Sequence, residues 1–120
     1  MEQAEYIEAL QGRWPTGARH PEPTASTLDL ANRAVQEHPR CAKLWIIRGN
    51  LLELANIETH LPLKESERCY RTAIKIDPFN IEAYQDLAWF LDGVLGKRRK
   101  AKRFFDKARR LRLSVDGRQP

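Results

Sequence analysis

The sequence predicts an all-α chain: about six helices folded as antiparallel helix-turn-helix units and stacked into a repeat array. Three observations predict it. Apolar residues recur at three- and four-residue steps in six segments, as amphipathic helices require. Proline or glycine interrupts the chain between segments, and no stretch shows the period-two alternation of a half-buried strand. The spacing around two prolines also repeats, Ala34-x4-Pro39 returning as Ala73-x4-Pro78, and such self-similarity marks stacked supersecondary units.

The first helix is expected over residues 2–12, with Tyr6, Ile7 and Leu10 on one face. Residues 13–23 hold three prolines and a glycine and read as a loop. Ser26, with Asp29 three positions on, has the spacing of a capping box. Leu28, Ala31, Ala34 and Val35 then form the buried stripe of a second helix that Pro39 ends. A third helix, from about Ala42 to Ile57, is apolar around much of its girth through Leu44, Trp45, Ile47, Leu51, Leu52, Leu54 and Ala55. Such a helix is enclosed by others. Thr59-His60-Leu61-Pro62 breaks the chain. The fourth helix spans about Leu63 to Ile76, with Cys69, Tyr70, Ala73 and Ile74 inward, and Asp77-Pro78 stops it. Asn80 caps the fifth, Ile81 to Val94; Gly96 separates it from the sixth, Lys97 to about Leu113.

The two proline junctions align further. Trp45 and Tyr84 each follow their proline by six residues, and Trp45-x3-Gly49-x2-Leu52 corresponds to Tyr84-x2-Leu87-Ala88-x2-Leu91. The last helix repeats the second-helix pattern as Ala101-x3-Phe105-x2-Ala108. Small residues (Gly49, Ser66, Ala73, Ala88) let paired helices approach, bulky ones (Trp45, Tyr70, Tyr84, Phe105) fill the space beside them, and Pro39 and Pro78 end the second helix of each unit.

This constellation resembles the tetratricopeptide repeat family over about residues 27–108. The resemblance implies a right-handed superhelix of helical hairpins. The chain departs from the family in three ways. Its proline-to-proline distance is 39 where the usual repeat is about 34 residues. The surplus falls around Ile57 to Lys64, where a surface loop tolerates it. Arg48 stands at the family's usual Leu position, and the first helix fits the motif poorly. The organisation expected is an N-terminal helix and Pro-rich loop (1–24), repeats over 25–113 and a flexible tail (114–120). The repeats divide into a partial unit 27–41, a full unit 42–80 with a loop insertion, and a full unit 81–113 with a basic last helix.

In the family the first helix of each unit lines a concave surface where a partner peptide lies. The resemblance therefore implies a groove formed by Lys43, Ile46, Asn50 and Glu53 of the third helix and by Glu82, Gln85, Trp89 and Asp92 of the fifth. Asn50 matches an asparagine that some members use to hold a peptide backbone. The basic residues that grip a terminal carboxylate are not matched. Trp89 reads either as an aromatic anchor for a partner or as a ring packed under Trp14-Pro15 or the first helix.

Charge is divided along the chain. Residues 1–96 hold 10 Lys and Arg against 14 Asp and Glu; residues 97–120 hold 11 against 2. The basic end is interleaved with Ala101, Phe104, Phe105, Ala108 and Leu111 at helical spacing. Three readings stay open, one of them contact with an anionic membrane surface through Phe104. The cations solubilise the end of the array, as terminal repeats require. Or Lys97, Arg98, Arg99, Lys100 and Arg103 are the footprint of an anionic partner, a nucleic acid or an acidic protein.

Catalysis is not expected. His20, His38 and His60 lie in or beside separate turns with no metal-ligand spacing, and Gly93-x2-Gly96-Lys97 lacks the length and the Ser or Thr of a phosphate loop. Neither a cofactor nor a metal is expected. The two cysteines, Cys41 and Cys69, form no paired motif, and the acidic N-terminus lacks the layout of a secretory signal; a cytoplasmic location is expected. The functional expectation is a non-catalytic protein-interaction module, an adaptor, scaffold or co-chaperone-like protein holding a partner segment in its groove. The alternative is a nucleic-acid-associated accessory protein acting through the basic helix. Weak self-association through the open end is a further expectation, and no membrane span is expected.

Overall fold

The computed structural model describes residues 1–15, 22–59 and 63–117, the side chains of 56–59 and 116–117 excepted. Its helices are α1 Gln3–Gly12, α2 Ala25–Glu37, α3 Ala42–Thr59, α4 Leu63–Ile76, α5 Ile81–Trp89 and α6 Arg98–Gly117. One turn of π-helix, Phe90–Val94, continues α5. Among the described residues there is no strand. Each helix packs on the next, and α1 also lies on α3 and α3 on α5. The odd-numbered helices therefore share one layer, while the even-numbered ones splay apart on the other. This is the nesting of a hairpin array.

The repeat is visible in its bonds. Trp45 Nε1 donates to the Pro39 carbonyl at 2.9 Å, and Tyr84, one unit on, donates its hydroxyl to the Pro78 carbonyl at 2.8 Å. Both rings thus anchor the first helix of a unit to the proline that ended the previous one. Two unlike side chains satisfy the same carbonyl left open at a helix end.

Helix α1 joins the array despite its poor motif. Tyr6 and Leu10 are buried with Leu28, Ala31, Leu44 and Leu51 in one core. The Tyr6 hydroxyl donates to Glu37, and the His38 ring bonds the Met1 carbonyl at 2.6 Å, so α1 is tied to the end of α2. The start of α2 corrects the expectation. Thr24 Oγ1 accepts from the Thr27 amide at 3.1 Å and is the cap. Ser26 already lies inside the helix, where it accepts from Arg13 at 3.3 Å. Starting at Ala25 turns Thr27, Leu28, Leu30 and Ala31 inward together.

Helix α3 is enclosed as its girth demands, with Leu44, Ile46, Ile47, Leu51, Leu52 and Ala55 buried. It runs to Thr59 rather than Ile57, so part of the extra repeat length extends a helix; residues 60–62 of the expected break lie outside the described residues. Arg48, the odd residue at the motif's Leu position, is satisfied. Its guanidinium donates to Asn32 at 2.8 Å, Glu65 at 3.1 Å and the Cys69 sulfur at 3.0 Å, joining α2, α3 and α4. Both cysteines are free thiols, and burial pushes the Cys69 thiol above its usual range.

Asn80 caps α5 as expected, accepting from the Ala83 amide at 3.0 Å. Gly96 stands at φ 66°, and the Lys97 amide reaches back to the Leu91 carbonyl at 2.7 Å. A left-handed glycine, with that bond reaching back six residues across the π-helical turn, ends the helix. Helix α6 corrects the expected tail: it continues through 114–117, because nothing between Leu113 and Gly117 breaks a helix. Residues 118–120 lie outside the described residues.

Candidate functional site

Side by side, α3 and α5 present successive turns to one face. Lys43 and Glu82 occupy the same place in consecutive units and carry opposite charges. Lys43 Nζ lies 2.9 and 3.0 Å from the two Glu82 oxygens. Two turns along, Asn50 Oδ1 accepts from the Tyr70 hydroxyl at 2.7 Å, and the same hydroxyl contacts Glu53. Across the face the Asn50 amide also acts on the Asp86 carboxyl, lowering its pKa against burial. A polar chain Glu53–Tyr70–Asn50–Asp86 thus crosses from α3 through α4 to α5.

The electrostatics follow from burial. Desolvation raises Glu53, against the Tyr70 bond, and Asp86 adds to the rise. Desolvation also raises Asp86; the Asn50 bond and Lys43 oppose it, and Glu82 adds to it. Tyr70 is pushed far up by burial and by Glu53, so it stays a phenol. Its one proton cannot serve both Asn50 and an ionised Glu53 at once. The Tyr70 hydroxyl is therefore shared between two acceptors, Asn50 Oδ1 and the Glu53 carboxylate.

The expected groove residues fare differently. Lys43 and Glu82 are half-exposed and pair with each other; Asn50 and Glu53 enter the network; Gln85 is half-buried beside it. Trp89 is 64% exposed; one edge contact, to the Phe105 ring at 5.1 Å, holds it. Asp92 lies at the end of the face, 3.7 Å from Arg98. Ile46 is a correction. It is 0% exposed and packs with Ala73 and Ala83 in the seam between units, because two small residues leave room for its side chain there. Sequence reasoning did not place Asp86, Leu54 or Trp14 among the residues lining the groove. Leu54 follows Asn50 by four residues and is 41% exposed; the spacing alone would have found it. Trp14 arrives from the loop after α1 and, with Asn50, Glu53 and Leu54, lines a shallow hollow of about 290 Å³.

On the opposite layer Lys97, Arg98, Arg99, Lys100 and Arg103 are all exposed. Lys97 meets α4 rather than standing alone. With Lys64, Arg68, Arg71 and Lys75 it lines an open hollow of about 500 Å³ between α4 and the start of α6. The recurrence of Lys64, Arg68, Arg71 and Lys75 at steps of four, three and four was the available signal.

Among the described residues no group of three His, Cys, Asp or Glu side chains converges, and no helix is long and apolar enough to cross a membrane. His20 and His60 lie outside the described residues.

Residues 69–109 match the family model of the tetratricopeptide repeat. No curated protein sequence matches the chain. Solved structures that share the fold include MamA 41-end from Desulfovibrio magneticus RS-1 and the MamA RS-1 ArsTM double mutant. Each aligns with 95% of this chain at a TM-score of 0.66 and 18% identity, and the chain spans 54% of each. The matched segment, the paired bonds to Pro39 and Pro78 and the nested hairpins agree: residues 69–109 match a tetratricopeptide repeat, and the chain shares its helical-hairpin fold with the MamA structures.

Proposed function

We propose that the chain is a non-catalytic protein-interaction module that holds an extended partner segment on the face of α3 and α5. One observation carries the reading: Trp89, a large aromatic ring left 64% exposed among the polar side chains Glu82, Gln85 and Asp92. A Trp surrounded by polar groups is the common anatomy of a binding anchor. Trp14 and Leu54 add apolar surface on the same face beside Asn50 and Glu53. Lys43, the cation among the named groove residues, is already held by Glu82, while Glu53 and Asp86 are carboxylates drawn out of water. That balance favours a segment bringing an apolar side chain for Trp89 and a Lys or Arg beside it.

A photo-crosslinking residue in place of Gln85 tests this in extract of the native cell. The expected product is a crosslinked protein that survives nuclease treatment and is lost when Trp89→Ala is added. Crosslinks that persist in Trp89→Ala, or that form equally from a probe at Arg109, would overturn the groove reading.

A further inference from the structure

We propose that the trough between α4 and α6 binds the phosphodiester backbone of a single-stranded nucleic acid. The site is separate from the α3–α5 face, and neither reading depends on the other.

The trough exists because α4 and α6 splay apart, meeting where the Arg71 guanidinium lies over the Phe104 ring, 5.5 Å from its centroid. One wall is a rail of cations on α4. Lys64, Arg68, Arg71 and Lys75 fall on one helical face, and the eleven-residue step from first to last covers about 16 Å at ~1.5 Å per residue. The other wall begins with Lys97, and Lys100 and Lys107 follow at helical spacing on the edge of α6 that carries Phe104. Among the described residues no carboxylate lies within ion-pair distance of Lys64, Lys75 or Lys97.

The two arginines are held ready. Arg71 gives Nε to Glu67 at 2.8 Å, leaving its terminal nitrogens unspent. Arg68 gives Nε and Nη2 to Glu65, both at 3.0 Å, and lies over Trp45, 5.6 Å from the ring centroid. A guanidinium stacked on an aromatic ring keeps its plane while its edge donates.

The lining chooses between anionic partners. It is five cations with Glu67 and Thr72, and it has no apolar anchor. Protein interfaces are depleted of lysine and concentrate their affinity in aromatic and apolar anchors, so an acidic peptide finds little here beyond charge. A polymer with one charge per unit matches a line of cations and gains affinity by releasing its counterions. The cations line an open hollow of about 500 Å³, where a flexible single strand can follow the rail more closely than a rigid duplex.

Fluorescence anisotropy of the full chain with a fluorescein-labelled 20-mer of deoxythymidine tests the proposal. Binding is expected at 50 mM salt and should weaken steeply by 200 mM. Lys64→Gln/Lys75→Gln/Lys97→Gln should weaken it at least tenfold and flatten the log K against log salt slope by about 2, three contacts at roughly 0.7 each. The Lys→Arg triple at the same positions should retain binding. Arg98→Gln/Lys102→Gln/Arg109→Gln removes equal charge from the far edge of α6 and should cost less than threefold. All these side chains are exposed, and unchanged thermal melting confirms the fold of each variant. Four results would overturn the proposal: no binding at 50 mM salt, equal losses from the two glutamine triples, equal affinity for the matching 20-base-pair duplex, or equal affinity for a 20-residue polyglutamate or for phosphatidylserine vesicles.

Discussion

Gly49 lies against the Tyr70 ring so closely that a Cβ at position 49 would stand 2.7 Å from Tyr70 Cε1, 3.0 Å from Cζ and 3.1 Å from the Cys69 Cβ. This contact sets how near α3 and α4 approach. The ring cannot retreat: Tyr70 is fully buried, packs edge-on against Phe90 and is held through its hydroxyl by Asn50 and Glu53. Gly49→Ala would gain about 1 kcal/mol of helix propensity and lose about 1–3 kcal/mol to overpacking. Because the ring is pinned, the upper half of that loss applies, and the variant should be about 1–2 kcal/mol less stable by urea titration. In a double-mutant cycle with Tyr70→Leu the loss should shrink. A Gly49→Ala protein as stable as the parent would show that α3 and α4 slide apart freely.

Ser66 should show the reverse sign. Its hydroxyl is buried and has no hydrogen-bond partner among the described residues. The equivalent place one unit on is Ala101, also buried, so the repeat already tolerates a methyl there. Ser66→Ala removes an unsatisfied polar atom at nearly constant volume and should stabilise the protein by about 1 kcal/mol, read as a raised Tm.

These two positions show how far the sequence could be read. The recurrence of small and bulky residues around Pro39 and Pro78 located Gly49, Ser66, Tyr70 and Ala101 as interface residues before any coordinates, and the helices followed. What it could not supply was direction. Ile46 and Asn50 are four apart on α3, and the family resemblance placed both on the groove; the small Ala73 and Ala83 opposite Ile46 draw it into the seam instead. Asp86 was missed because its counterpart one unit earlier, Ile47, is a core residue. Trp14 was missed because a loop delivers it. The cationic trough was missed because half of it belongs to α4, distant in sequence from the basic end.

The network beneath the groove should make stability depend on pH in an unusual direction. Glu53 and Asp86 both titrate above the ordinary carboxylate range when folded. The folded state then binds more protons than the unfolded state between the ordinary and the raised values. Their contribution is full below the ordinary range and is lost as pH rises through the raised values. Asp86→Asn keeps the shape and abolishes the charge. It should raise stability at pH 7 by about 1 kcal/mol, with the gain disappearing as pH falls below about 4. Denaturant midpoints at pH 4 and pH 7 decide it; equal gains at both would exclude the desolvated carboxylate as the cause.

Glu65 should behave oppositely. Its bond to Arg68, with help from Arg48, holds its pKa below the usual value. Its contribution is present above the ordinary carboxylate range and is lost as pH falls through the depressed value. Arg48 makes the pair matter, because its side chain is only 12% exposed and Glu65 is its carboxylate partner. Glu65→Gln should cost about 1–2 kcal/mol at pH 7, most of it from the cation left behind, and the deficit should narrow in acid. Arg48→Leu, which restores the family's usual residue, should recover part of that loss in the Glu65→Gln background. Stability unchanged by Glu65→Gln at pH 7 would mean that Asn32 and Cys69 suffice for Arg48.

Trp89 separates a structural ring from a binding ring. Its one ring contact is the edge of Phe105, an interaction of about 0.5–1.5 kcal/mol. Trp89→Ala should therefore lower stability by less than about 1 kcal/mol. Trp45, half-buried and bonded to the Pro39 carbonyl, should cost several times more on truncation, about 3 kcal/mol. In a chain carrying Trp14→Phe and Trp45→Phe, the remaining emission is that of Trp89. It should be red-shifted and open to iodide quenching in the free protein, then shift to the blue and resist iodide once a partner segment is bound. A quencher-resistant, blue emission before any partner is added would mean that the ring already spends its surface inside this chain. The α3–α5 face would then have no anchor to offer.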